Sequence, residues 1–221
     1  GSVIDKEAIE RATSVYLVDR VVPMLPEVLS NNICSLKPNV DRLAYSILFE
    51  MNEKANLVDY QIKKSVIHSD VRFTYQTAQD VIDNKEGKLV TELLLLDKLS
   101  KILRKKRQQN GSINFESTEV KFLLDNNNNP IDVYFKESLS TNHLIEEFML
   151  LANKTVAKHI GFPKKDAKTF IYRIHDIPDT DRISTLNNLV KKLGHSINNE
   201  SSNKLSQSLN KLLKNVKGKN E

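Results

Sequence analysis

The sequence predicts an α+β fold in which mostly antiparallel strands pack with several helices. Three observations carry this. Residues 42–51 and 57–69 alternate apolar and polar side chains, with β-branched and aromatic types, at the period of half-buried strands. Residues 88–108 and 140–160 instead space their large apolar residues by three and four, as helices with one buried face do. The strands fall in neighbouring runs and do not alternate regularly with helices, which argues against a doubly wound parallel sheet. Apolar residues make up 39% of 221, against about 45–50% in typical domains. The core is therefore lean, but large enough to exclude wholesale disorder.

In chain order, Asp5 followed by Lys6-Glu7-Ala8-Ile9-Glu10 reads as an N-cap with an acidic first turn, opening a helix to about Leu17. Pro23-Met24-Leu25-Pro26 breaks it, because proline removes a donor and restricts the residue before it. The strands at 42–51 and 57–69 form a hairpin across Asn52-Glu53-Lys54-Ala55-Asn56. A short helix near Thr77 to Ile82 precedes the long one from about Lys88 to Gln108, where Leu89, Leu93, Leu96, Leu99 and Leu103 mark a buried stripe. Two short strands, Val120 to Leu124 and Ile131 to Phe135, are joined by the turn Asp125-Asn126-Asn127-Asn128-Asn129-Pro130. The strongest helix runs from about Ser140 to Ile160, with Leu144, Phe148, Leu151 and Thr155 on one side. A strand at Phe170 to Ile174 and a helix near Asp181 to Leu193 close the compact part, taken as residues 1–195. Residues 196–221 are rich in Asn, Ser and Lys, yet Leu205, Leu209 and Leu212 keep a helical spacing, so this tail reads as a marginal helix continuing the domain.

Composition bounds the function classes. No apolar run approaches the roughly 18 residues of a membrane span, and the first residues lack the basic and apolar regions of a signal peptide. The single cysteine, Cys34, builds neither a disulfide framework nor a zinc site within the chain. A soluble, cytoplasmic protein is expected. There is no glycine-rich phosphate loop and no nucleophile elbow. The net charge of +5 permits phosphate binding, but residues 201–221 hold five lysines against one glutamate, so most of the excess is a solvated tail.

His143-Leu144-Ile145-Glu146-Glu147 places a histidine and two carboxylates on one helical face at i, i+3 and i+4, a spacing suited to metal ligands. No third ligand follows: His159 lies twelve residues past Glu147, roughly 18 Å along the same helix. A partly buried polar cluster that hydrogen-bonds a partner is the better reading. Lys101, Arg104, Lys105, Lys106 and Arg107 sit in the last turns of their helix, where cations complement the macrodipole, and read as surface. His175 stands at a strand end, with local pairing to Asp176 as the simplest account. For Tyr16 and Phe115, lone aromatics at element ends, core packing is the default expectation.

Six stretches taken together resemble the catalytic domain of the ribonuclease II/ribonuclease R (RNB) family. They are Ala12-Thr13-Ser14-Val15-Tyr16-Leu17; Pro23-Met24-Leu25-Pro26-Glu27 with Leu29-Ser30; Cys34-Ser35-Leu36; Gly111-Ser112-Ile113-Asn114-Phe115-Glu116-Ser117; Leu144-Ile145-Glu146-Glu147-Phe148-Met149 with Ala152-Asn153; and Arg173-Ile174-His175-Asp176. They follow the family's order and spacing from about Ser2 to Leu193.

The resemblance implies a partial RNB-type catalytic domain from a processive exoribonuclease that releases nucleoside 5′-monophosphates from the 3′ end of single-stranded RNA. It implies Mg²⁺ held by an aspartate-rich loop, and that loop has no counterpart in this sequence; nor has the family's serine-arginine-tyrosine motif beyond Asp176. The resemblance therefore implies an internal segment of the catalytic domain, inactive alone, with no metal ligands of its own. By the same resemblance Tyr16 is the tyrosine that stacks near the scissile end, and Phe115 is the aromatic forming the other jaw around the terminal bases. Glu146 is the catalytic-site acid that contacts the terminal nucleotide. The physics agrees: unpaired bases offer π-faces for stacking, and a carboxylate accepts hydrogen bonds from ribose hydroxyls. The alternative is a non-catalytic RNA-binding or adaptor module of the same fold, suggested by the basic pI of about 9.1 and the leucine stripe of the tail.

Overall fold

A computed structural model describes residues 1–115, 119–162, 168–174, 176 and 178–218. Its elements run α1 (Val3–Arg11), β1 (Val15–Tyr16), β2 (Val21–Val22), a π-helical segment (Val28–Ile33), β3 (Asp41–Met51), β4 (Leu57–His68), α2 (Tyr75–Asn84) and α3 (Val90–Gln109). They continue with β5 (Glu119–Leu124), β6 (Pro130–Lys136), α4 (Ser140–Gly161), α5 (Thr180–Lys192) and α6 (Ser202–Val216). The strands form three two-stranded antiparallel sheets among the helices, an α+β fold. No helix among the described residues is long and apolar enough to cross a membrane. The chain divides into two compact units, each built from separate stretches of the sequence, and one of the boundaries falls inside α2.

The first unit comprises Gly1–Asn52, Asn56–Asp80 and Thr118–Leu139. Its first helix departs from the sequence expectation at both ends. Ser2, not Asp5, is the N-cap: its hydroxyl accepts from the Asp5 backbone N–H, leaving Asp5 in the acidic first turn. The helix stops at Arg11, and Ala12 turns into positive φ. Beyond it the β-branched Val15, Val21 and Val22 favour extended backbone, and Val15 pairs with Val22 and Tyr16 with Val21. The β3–β4 hairpin matches its alternation, with Asp41 opposite His68 and Glu50 opposite Asp59. Asn52 closes its loop by donating its backbone N–H to Asn56 O while its side-chain oxygen accepts from Asn56 N. In the β5–β6 turn, Asp125 Oδ1 accepts from the backbone N–H groups of Asn127 and Asn129, both at 2.8 Å. The Asn129 backbone bond, with help from its side chain, holds the Asp125 carboxyl below the ordinary carboxylate range. A depressed folded value means this turn gains stability above the unfolded pKa and loses it as pH falls through the folded one.

The second unit comprises Glu53–Ala55, Val81–Ser117 and Ser140–Glu221. Val190 of α5, Ile197, and Leu205 and Leu209 of α6 form its buried apolar cluster, with Ile113, Ile183 and Leu212 packed against it. The tail thus contains a fifteen-residue helix whose Leu205 and Leu209 are core, with its N terminus capped by the Ser201 hydroxyl. Asn187 Oδ1 accepts from Ile197 N and so holds Ile197 at the cluster. Truncating Leu209 to alanine is expected to cost about 2–5 kcal/mol in urea unfolding of the whole chain; a loss below about 0.5 kcal/mol would contradict its core role.

Two further expectations change in this unit. The leucine stripe of α3 is only partly buried: Leu99 is buried, but Leu89 and Leu96 are exposed, while the polar Asp97 and Ser100 are buried. Phe170–Ile174 makes no strand pairing among the described residues. Its rings meet aromatic neighbours instead, Tyr172 lying 5.3 Å from Phe170 and 5.8 Å from Phe162 between centroids. A Cβ on Gly161 would fall 1.4 Å from the Tyr172 hydroxyl, so the close approach of that ring requires glycine at the end of α4. His175, and the Glu116-Ser117 end of the stretch that begins at Gly111, lie outside the described residues.

Candidate functional site

The interface of α3 with α4, inside the second unit, is built from charge. Arg104 and Arg107 stand three apart on α3; His143, Glu146 and Glu147 occupy the i, i+3 and i+4 positions of α4. Arg107 Nη2 donates to Glu146 Oε1 at 2.8 Å and to Glu147 Oε1 at 2.6 Å, and its Nε donates to Glu147 Oε1 at 3.0 Å. Arg104 Nη1 lies 2.7 Å from His143 Nδ1 and 3.4 Å from Glu146 Oε2. The partners predicted for the polar cluster are therefore the two arginines read from sequence as surface. Arg107 falls four residues past Leu103 and continues the three-and-four stripe, a local sign that this cation faces inward, whereas Arg104 lies beside Leu103 and off that stripe.

The two glutamates have different roles available to them. Glu147 has a side chain only 3% exposed and is consumed by Arg107; Glu146 is 43% exposed and is held on one side while open on the other. Burial by itself would pull the Arg107 guanidinium down. The hydrogen bond and charge of Glu147, then those of Glu146, more than offset it and raise Arg107 above the ordinary arginine value. A planar fork bonded to two carboxylates fixes where Glu146 points.

His143 Nδ1 faces both Arg104 Nη1 at 2.7 Å and Glu146 Oε2 at 3.3 Å. A guanidinium only donates, so the shorter contact makes Nδ1 an acceptor and places the ring proton on Nε2. Long-range ¹H–¹⁵N correlation spectra of the neutral ring are expected to show the Nε2–H tautomer; an Nδ1–H tautomer would contradict this geometry.

The same arginines reach the segment that follows α3. Arg104 Nη2 donates to Asn114 Oδ1 at 2.6 Å, and Arg107 Nη1 to Ser112 Oγ at 3.0 Å. Ile113, between them, packs on the α5–α6 core, and Phe115 projects with 70% of its surface exposed. Tyr16, in the first unit at the end of β1, is 79% exposed. Core packing, the default expectation for both rings, is thus corrected: neither has apolar neighbours enough to bury it. Among the described residues no group of three or more His, Cys, Asp or Glu is arranged to hold a metal ion. With two guanidinium groups against its carboxylates, the His143 cluster is a charge-compensated brace.

What this arrangement offers is one aimed, half-open carboxylate and, one residue beyond Asn114, a bare aromatic ring. The RNB domain family matches residues 1–221 of the chain. Ribonuclease R 1 of Lactococcus lactis is 37% identical over 99% of this chain and 27% of its own length. The human exosome complex exonuclease RRP44 is 39% identical over 95% of this chain and 22% of its own. The structure of Mycoplasma genitalium RNase R in complex with ribose-methylated single-stranded RNA superimposes with a TM-score of 0.85 at 27% identity, covering all of this chain and 35% of that one. The chain spans about a quarter of the length of these curated relatives. It belongs to the RNB domain family.

Proposed function

We propose that this chain supplies the RNA 3′-end clamp of a processive 3′→5′ exoribonuclease, with single-stranded RNA as its partner. The observation that carries the reading is the brace: Arg104 joins Glu146 to Asn114, so an oriented acceptor and the exposed Phe115 belong to one rigid network. In this reading Phe115 and Tyr16 stack on unpaired bases, and Glu146 accepts from hydroxyls of the terminal ribose. Stacking tolerates any base, and a contact to the 2′-hydroxyl separates RNA from DNA.

The family resemblance implies Mg²⁺, which would supply the electrostatics of phosphodiester hydrolysis. The described residues do not provide the donor set for it. No hydrolytic step is assigned to this chain, whose residues bind and orient the RNA end. A cytoplasmic setting belongs to the same proposal; the exposed free thiol of Cys34 suits a reducing compartment.

The test is binding of the purified chain to a fluorescein-labelled single-stranded RNA and to DNA of the same sequence, in a salt series. Salt-sensitive binding that favours RNA, with no mononucleotide released, is the expected result. Equal affinity for DNA, or no binding in low salt, would remove the clamp. Chelator-sensitive release of mononucleotides by the clean chain would overturn its inactivity.

A further inference from the structure

The segment from Gly111 to Phe115 has none of the regular hydrogen bonding of a helix or strand, yet its backbone is held at successive points by α6. Asn210 donates its side-chain N–H to Ser112 O and accepts from Asn114 N–H at its Oδ1, both at 2.9 Å. The amide thus pairs with the backbone on either side of Ile113, as a neighbouring strand would. Ile113 itself packs on the cluster that includes Leu205 and Leu209, one turn apart on α6, and Leu209 directly precedes Asn210 in that helix. At the start of the segment Gly111 has φ +93°, and a Cβ there would lie 2.8 Å from Asn203 Oδ1 of α6. The left-handed backbone conformation favours glycine at this position, and a Cβ would also have to displace the Asn203 side chain.

We propose that Asn210 is a positioning residue for the RNA 3′-end site, setting through α6 the course of residues 112–114 and hence the place of Phe115. This inference rests on the clamp reading above. Its physical basis is independent of it: backbone donor and acceptor groups in a loop must be satisfied, and here one side chain from nearly a hundred residues away satisfies both. The arginine brace holds the side chains of Ser112 and Asn114, while Asn210 holds their backbones. Removing Asn210 leaves the segment attached but free to swing, which moves the ring without touching the RNA.

Asn210→Leu keeps the size and removes both bonds; Asn210→Asp keeps the acceptor for Asn114 N–H and loses the donor to Ser112 O. Each is compared in the full chain, with a cooperative unfolding curve showing that it is folded. Loss of two hydrogen bonds is expected to weaken binding of a short fluorescein-labelled single-stranded RNA about tenfold in Asn210→Leu. Because the effect runs through the ring, the same change in a Phe115→Ala background is expected to cost less than about twofold, and Asn210→Asp is expected to fall between. Without RNA, hydrogen exchange of the Asn114 amide is expected to accelerate in Asn210→Leu and to stay slow in Asn210→Asp. An equal affinity loss in both backgrounds, or none in either, overturns the positioning role. If Phe115→Ala alone leaves affinity unchanged, the clamp reading fails, and exchange of the Asn114 amide decides the remaining claim: unchanged protection in Asn210→Leu overturns it.

Discussion

Arg107→Met is expected to destabilise the chain by about 3–5 kcal/mol, the cost of breaking a buried ion pair by removing one partner. The reason is the carboxylate left behind. Glu147 is 4% exposed as a residue, and its carboxylate accepts from both Nε and Nη2 of Arg107. Water cannot take over that role without opening the α3–α4 interface. Glu146 would lose its 2.8 Å partner but keeps access to solvent, so its share of the cost is small. The informative comparison is Arg107→Met with Glu147→Met: removing both charges together is expected to restore much of the loss, because a buried pair and an apolar pair of similar volume differ little in net stability. Urea unfolding of the two single variants and the double variant measures the coupling. Single and double variants of equal stability would mean that the pair is solvated in solution.

Phe115→Ala is expected to weaken RNA binding about 5- to 150-fold, the range that corresponds to ~1–3 kcal/mol for one stacked base. The ring is 70% exposed, so truncation removes no core contact and stability is expected to change little. Affinity and stability are thus separable at this residue, unlike at Arg107. Tyr16, 79% exposed on β1, is expected to behave in the same way. A fluorescence titration of each variant against the unsubstituted chain, with a melting curve as control, reads both quantities. Unchanged affinity for Phe115→Ala with an unchanged melting curve would contradict the stacking role. Glu146→Ala, by contrast, removes an acceptor and also a partner of Arg104 and Arg107, so in an intact enzyme its effect is expected on turnover as well as on binding.

The hairpins and helices that the sequence announced are those whose side chains repeat at a fixed period. The β3–β4 alternation and the α4 stripe needed no distant partner to be read. In α6 Leu205 and Leu209 showed the apolar face, but not that this face closes the core against Val190 and Ile197. Elements defined by pairing were harder. β1 and β2 are two residues each, too short for any period, and residues 170–174 have the composition of a strand without a ladder to join. Neither end of α1 is marked locally: Ser2 and Asp5 are both good caps for its start, and nothing beside Ala12 signals its positive φ.

The site divides along the same line. Glu146, Phe115 and Tyr16 stood out through motifs, whereas Arg104 and Arg107 looked like ordinary helix-end cations, because their partners lie about forty residues away in the chain. Asn210 is one of twenty-two asparagines, and only the fold distinguishes it from the others.

The most direct measurement is the affinity of the chain for a linear single-stranded RNA with a free 3′ hydroxyl, set against a circular RNA of the same sequence. A clamp that holds the terminal nucleotide through Glu146 and Phe115 requires an end, so the linear form is expected to bind well over tenfold more tightly, as a contact of about 1.4 kcal/mol or more to the terminal nucleotide requires. Equal affinity for the circle would show that the RNA lies along a basic surface, and would contradict the end-clamp account.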